Sequence, residues 1–246
     1  MNEIVIIIPS RLASSRLPDK PLKIINKKEM ILHVYEAAVK AGIGEVYVAT
    51  PDEKIQDVIE SANGKVVKTL NDHETGTDRI FEIFEKTLNK EPNFIINLQG
   101  DMPNINSKDI KNLANYIMKK NCDIATLASN LKNDQEIDDK NTVKVSTKEK
   151  IKKNNFQQAL DFFRLNAEKK KNLSYHHIGI YAFTSEALIK YVNLKRSNLE
   201  LKRNLEQMRA LENGMKIDVG FVESIPLSVD TEEDLFQIKK IMEKND

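Results

Sequence analysis

Cysteine, long apolar runs and an excess of either charge are all scarce in this 246-residue sequence, and each scarcity narrows what it can be. A single cysteine, Cys122, permits no intrachain disulfide and no cysteine-built zinc cluster, and it reads as a packing or surface residue. No apolar run approaches the roughly 18 residues a membrane span requires. The charges nearly cancel, 38 basic against 37 acidic residues, so the net charge of +1 provides no global field for nucleic acid. Any anionic ligand must therefore be met by a local group of cations. The stretch Met1–Pro9 lacks the basic leader and small-residue cleavage site of a secretory signal, so a cytoplasmic protein is expected. No repeat and no Pro/Gly-rich linker divides the chain, and its 40% hydrophobic content suffices for a sizeable core.

What is present has α/β periodicity. Glu3–Ile8 is a buried-strand run, Glu29–Ala41 places Ile31, Val34, Tyr35 and Ala38 on one helical face, and Gly42 and Gly44 stop that helix. Glu45–Thr50 reads as a strand, Asp52–Ala62 as a helix and Lys65–Thr69 as a short strand. A helix over about Thr77–Leu88, the strand Asn93–Leu98 and a helix beginning at Ser107 follow. Alternation of this kind predicts a mainly parallel, Rossmann-like sheet with ligands at the carboxyl ends of its strands. Between about 130 and 175 the pattern weakens: Thr142–Thr147 is strand-like, whereas Lys148–Asn155 and Glu168–Asn172 are rich in lysine and asparagine. That segment is expected to be an inserted subdomain within one domain spanning 1–246. Regular elements resume with a strand at His177–Thr184, a long helix within Asn198–Asn213, a strand near Ile217–Val222 and a last helix at Glu232–Met242.

Four groups of residues carry chemistry. The loop after the first strand, Pro9 to Leu22, places Arg11, Arg16 and Lys20 among the hydroxyls of Ser10, Ser14 and Ser15, a set suited to a polyphosphate held by side chains. It has no glycine and no GK[ST] ending, so it is not a Walker loop; a solvated basic loop is the alternative. Gln99-Gly100-Asp101-Met102-Pro103 puts a carboxylate at a strand end, where it suits Mg²⁺ or simply a turn. Asp230 is the second expected Mg²⁺ ligand. Thr231 and Asp234 form a capping pair that would free it, although Asp230 could also cap the helix itself. Asp72–Arg79 contains Gly76, where backbone could approach a base or ribose, with Thr77 a possible N-cap; His73 has no metal partner at helical spacing and is given no role. Finally, His177, Gly179 and Tyr181 share one strand face, leaving a gap between two polar tips that suits a polyol. Glu206 and Gln207 lie off the apolar stripe of the helix Leu205–Gly214, where they suit sugar hydroxyls or plain solvent.

Taken in order, IPSRLASSRLPDKPL, TGTDR, LQGDMP, HHIGIYAF, LEQMRALENG and VDTEEDL resemble the 3-deoxy-manno-octulosonate (Kdo) cytidylyltransferase family from Arg11 to Asp234. The resemblance implies an α/β nucleotidyltransferase fold, a homodimer and the attachment of CMP, from CTP, to Kdo for lipopolysaccharide synthesis. By position it implies Asp101 and Asp230 as Mg²⁺ ligands and Arg11, Arg16 and Lys20 as triphosphate contacts. Gly76, Arg79 and Gln99 would belong to the nucleotide site, while His177, Tyr181, Glu206 and Gln207 would face the sugar. The chain departs from the family pattern at Met102, where glutamate is usual, at Asp19, where glycine is usual, and at Ser228. Phe162-Phe163-Arg164 stands where a Phe-Ser-Arg segment is usual. The alternatives are the same chemistry on the 8-amino analogue of Kdo or another ulosonate, and a nucleotide-binding module without turnover.

Overall fold

The computed structural model describes residues 3–119, 122–133, 135–153, 155–165 and 173–243. Glu168–Asn172, which the sequence singled out as lysine- and asparagine-rich, lies outside them. The chain divides into two compact units, Met1–Ala114 with Pro226–Asp246, and Asn115–Ile225. The sequence pointed instead to one domain with an insertion at about 130–175. That segment supplies two strands to the second unit, which is larger because strands and helices on both sides pack with it.

The first unit is the parallel α/β layer. Strands β1 (Ile4–Pro9), β4 (Glu45–Thr50), β5 (Lys65–Lys68) and β6 (Phe94–Leu98) pair in the order β5-β4-β1-β6, every pairing parallel. A strand covered on both faces needs apolar residues at every position rather than alternate ones, and Ile4 to Ile8 are all buried. A hairpin of β2 (Ile24–Ile25) and β3 (Lys28–Glu29) leads into α1 (Met30–Ala41), and α2 (Glu53–Ser61) and α3 (Gly76–Lys86) fill the two crossovers that follow. Helix α3 starts one residue before the expected position. Thr75, not Thr77, is its N-cap, in a reciprocal capping box with Asp78, while Thr77 is buried and accepts from Asn97 Nδ2 at 3.2 Å. Helix α4 (Ser107–Ile117) contains the division between the units. The chain returns to the first unit for α8 (Glu232–Glu243), whose Leu235 and Ile238 close an apolar cluster with Leu17, Ile25, Met30 and Val229. Leu17 sits inside the basic loop, so this cluster anchors that loop to the segment carrying Asp230.

The second unit is mostly antiparallel. Its strands are β7 (Ile124–Ser129), β8 (Lys144–Thr147), β9 (Phe156–Phe163), β10 (Ser174–Thr184) and β11 (Ile217–Phe221). They pair in the order β10-β7-β11-β9-β8, and β8 pairs again with β10, so the circuit closes on itself and only β7–β11 is parallel. Closure satisfies backbone groups that an open edge would expose. Helices α5 (Ser185–Val192), α6 (Asn198–Arg203) and α7 (Gln207–Glu212) lie between β10 and β11. The single helix expected within Asn198–Asn213 is two: Asn204 takes a left-handed conformation (φ 52°, ψ 51°), and a buried bidentate ion pair from Arg209 to Glu200 ties the two short helices together. Cys122 is buried, and burial together with Asp218 pushes its thiol up to about 12, which makes it inert packing.

Candidate active site

The basic loop leaves β1 with Ser10 N donating to Ala49 O at 2.9 Å, which extends the β1–β4 pairing by one residue. The loop is held again at Leu12 N, which donates to the Asp52 carboxylate at 2.8 Å, then at buried Leu17, and it ends in a 3-10 turn at Lys20–Leu22. Asp19 precedes that turn at φ 53°, ψ 31°. Left-handed backbone favours glycine, and aspartate is among the few side chains that tolerate it. The expected glycine-to-aspartate departure therefore falls where the geometry explains the glycine.

A cavity of about 370 Å³ opens beside this loop. Its lining includes Ser10, Arg11, Arg16, Lys20, Gly76, Arg79, Gln99 and Asp101, all of them expected from the sequence as nucleotide or metal residues. Ser10 lines the cavity, and its buried hydroxyl has no hydrogen-bond partner among the described residues. Gly76 faces the same wall: a Cβ there would come within 3.2 Å of Pro9 Cγ and 3.7 Å of Gln99 Oε1.

Asp101 and Asp230 are joined by Lys20. Its ammonium donates to Asp101 Oδ2 at 2.9 Å and to Asp230 Oδ1 at 3.1 Å, and the Arg16 guanidinium lies 3.1 Å from the other oxygen of Asp230. Burial alone would lower the Lys20 pKa. The two carboxylates outweigh it, so the pKa is raised and the ammonium stays charged. Backbone brings the carboxylates together, because Val229 N donates to Asp101 O at 2.9 Å and Asp230 is the next residue. The capping pair behaves as the sequence suggests. Asp234 Oδ2 accepts from Thr231 N, and Thr231 Oγ1 accepts from Asp234 N, while the Asp230 carboxylate is turned to Lys20 and Arg16.

Among the described residues no group of three or more histidine, cysteine or carboxylate side chains converges on one point. That donor set excludes an all-protein cage but suits Mg²⁺, which takes one or two carboxylates and completes its octahedron with phosphate oxygens and water. Asp101 and Asp230 already gather around a cation, and their side chains are 25% and 39% exposed, so both remain within reach of a ligand.

Arg79 is placed differently from a free phosphate contact. It lines the cavity but is 3% exposed, and its guanidinium donates to Thr69 Oγ1, to Leu70 O at 2.8 Å and to Asn71 O at 3.3 Å. Burial, then Arg11, lowers its pKa. Three residues later, Glu82 accepts from Leu70 N at 3.0 Å and from His73 Nε2 at 2.6 Å. Burial would raise the Glu82 pKa, but these bonds and Lys86 outweigh it and lower it. Helix α3 therefore grips residues 69–73 from both sides, and His73 and Glu74 reach the cavity. Sequence reasoning missed this role for His73 because its partner is a carboxylate nine positions on, between a loop and a helix, rather than at metal-ligand spacing.

The four residues expected at a sugar belong to the second unit. His177 and Tyr181 do share a face across an irregularity in β10, yet their ring centroids are 5.5 Å apart and both side chains are buried, so the rings fill the expected gap. His177 Nε2 lies 3.0 Å from Thr126 Oγ1, whose proton goes to Ile180 O at 2.7 Å. Glu206 occupies the N-cap position of α7, its carbonyl accepting from Tyr191 OH at 2.9 Å, and Gln207 begins the helix with its side chain buried. Of the departures, Met102 is buried, and Arg164 donates to Asn141 O at 2.9 Å.

Comparisons with known proteins bear on the fold and the family. A family model described as cytidylyltransferase matches residues 5–217. The 3-deoxy-manno-octulosonate cytidylyltransferases of Bartonella henselae and Bartonella tribocorum are 42% and 41% identical, over 98% of this chain and 98% of theirs. The chain belongs to the 3-deoxy-manno-octulosonate cytidylyltransferase family. A solved CMP:2-keto-3-deoxy-manno-octonic acid synthetase complexed with CTP superposes on it with a TM-score of 0.89 at 36% identity, covering 99% of each chain. A nucleotidyl transferase from Methanothermobacter thermautotroptrophicus shares the fold at 16% identity and a TM-score of 0.66. The departures at Asp19 and Met102 thus sit within a member of that family.

Proposed function

We propose that this chain transfers the cytidylyl group of CTP to the anomeric hydroxyl of Kdo, releasing pyrophosphate. The observation that supports it most directly is the cavity on which Ser10, Arg11, Arg16 and Lys20, then Gly76 and Arg79, then Gln99 and Asp101 converge from three separate segments. Membership of the family supplies the two substrates.

In the proposed reaction the anomeric oxygen forms a bond to the α-phosphorus, the bond from that phosphorus to the bridging oxygen breaks in line, and the hydroxyl proton passes to solvent. Arg11 and Arg16 would clamp the triphosphate with planar donors, and Lys20 would neutralise charge growing on the departing pyrophosphate. Ser10 Oγ would donate to a phosphate oxygen, which satisfies its unpaired hydroxyl. Asp101 and Asp230 would hold Mg²⁺, which supplies polarisation of the α-phosphate and a lower pKa for the attacking hydroxyl. Gly76 and Gln99 would approach the nucleoside, with Arg79 fixing the loop beside it. Glu206, Gln207, His177 and Tyr181 are proposed for the sugar on the strength of the resemblance. In that role His177 and Tyr181 would act through packing, since both are buried. A cytoplasmic homodimer is part of the same proposal.

Asp101→Asn tests this reading. With CTP, Kdo and Mg²⁺ the unaltered protein should release pyrophosphate, and the variant should do so at least about 100-fold more slowly while unfolding at nearly the same temperature. A variant rate close to normal would contradict the assignment.

A further inference from the structure

Asp52 stands immediately before α2, where an aspartate ordinarily caps the helix by accepting from a first-turn amide. It has the extended backbone of a cap (φ −97°, ψ 119°), yet its side chain makes no capping hydrogen bond. One carboxylate oxygen instead accepts from Leu12 N at 2.8 Å, 40 residues away, in the middle of the basic loop. The Asp52 amide is itself held by Thr50 Oγ1 at 3.1 Å. Between Ser10, which continues the sheet, and buried Leu17, Leu12 is the described backbone position at which the loop is tied to another segment. The charge of Asp52 also acts on Arg79, in the sense opposite to Arg11.

We infer that Asp52 is a positioning residue for nucleotide binding: it gives up the cap of α2 to hold the Leu12 amide, and so sets where the adjacent Arg11 points. A neighbouring side chain that is free to swing must lose that freedom on binding, whereas one carried by a tethered backbone has already lost it. The hydrogen bond, rather than the charge alone, carries the effect, because the acceptor determines where the amide sits. This inference rests on the reading that the basic loop receives CTP.

The test compares Asp52→Ala, Asp52→Asn, Arg11→Ala and the Asp52→Ala/Arg11→Ala double variant in the full chain, by calorimetric CTP binding and steady-state kinetics. Asp52→Ala should raise the CTP Kd and KM about tenfold with kcat within about twofold, since ground-state placement is what it loses. Asp52→Asn should return to within about threefold of the unaltered protein, because its amide oxygen can still accept. In the Arg11→Ala background the alanine at 52 should add little, as residues acting through one another are not additive. A cap with no role in binding would lower the unfolding temperature and leave the CTP Kd unchanged, which overturns the inference, as does a full tenfold loss in the Arg11→Ala background. Amide exchange at Leu12 reads the tether without nucleotide: slow in the unaltered protein and Asp52→Asn, fast in Asp52→Ala. Equal exchange in all three would overturn the inference, whereas absence of CTP binding by the unaltered protein, with Leu12 protected, would contradict only the proposed function.

Discussion

Burial keeps His177 neutral, pulling its pKa down to about 3 with a smaller push from His176. The unfolded chain takes up that proton near its ordinary value of about 6.5, so between the two values the unfolded state binds more protons than the folded one. The contribution is fully present above about 6.5 and is lost as the pH falls from there towards 3. Urea unfolding of the unaltered protein and His177→Gln at pH 6.5, 5.5 and 4.5 should show a shallower pH dependence for the variant, by up to roughly 1.4 kcal/mol per pH unit. Parallel slopes would mean that His177 is not the group responsible. Single residues also show what a sequence can and cannot disclose. Arg11, Arg16, Lys20, Asp101 and Asp230 were legible because charged groups at strand and loop ends have few structural reasons to be there. Asp52 was not, because an aspartate before a helix has a sufficient reason in capping. Arg79 was legible as a cation at the site, but its bonds to the carbonyls of Leu70 and Asn71 depend on a loop whose path no local pattern describes.

At the scale of elements, periodicity succeeded at β1, α1 and α2, failed where an element was short or interrupted, and passed over the buried strand β7 and helix α5. Strand β1 and helices α1 and α2 carry regular apolar patterns and fall within a residue or two of their expected ends. The break between α6 and α7 was hidden because Leu205, Met208 and Leu211 keep helical spacing, while Asn204, unlike glycine or proline, does not announce a turn. Strand β9 was missed because its exposed Leu160 and its paired Phe162 and Phe163 break the alternation expected of a half-buried strand. Its partner β11 offers a test. Gly220 stands opposite Phe156, whose ring stacks on Tyr116 at 3.5 Å, and a Cβ on Gly220 would lie 2.4 Å from that ring. Gly220→Ala should cost about 1–3 kcal/mol in urea unfolding. Combined with Phe156→Ala it should cost less than the two changes separately, and strict additivity would show that the ring is not what the added methyl meets.

At the scale of the whole chain, the parallel sheet expected from the alternating pattern is that of the first unit, and it is there that the basic loop and both aspartates lie. The closed, mostly antiparallel circuit of the second unit was outside what the sequence disclosed, since pairing of β8 with both β9 and β10 depends on contacts between segments whose own patterns are weak. The chemistry at the cavity rests on residues of this chain, whereas the identity of the sugar rests on the family to which the chain belongs. The measurement that tests the central claim most directly is therefore pyrophosphate release from CTP and Mg²⁺ with Kdo, its 8-amino analogue and a sialic acid compared by kcat/KM. The account predicts turnover with Kdo at least about tenfold more efficient than with either alternative, equivalent to about 1.4 kcal/mol of transition-state preference. Equal or better turnover of the 8-amino analogue or the sialic acid would contradict it.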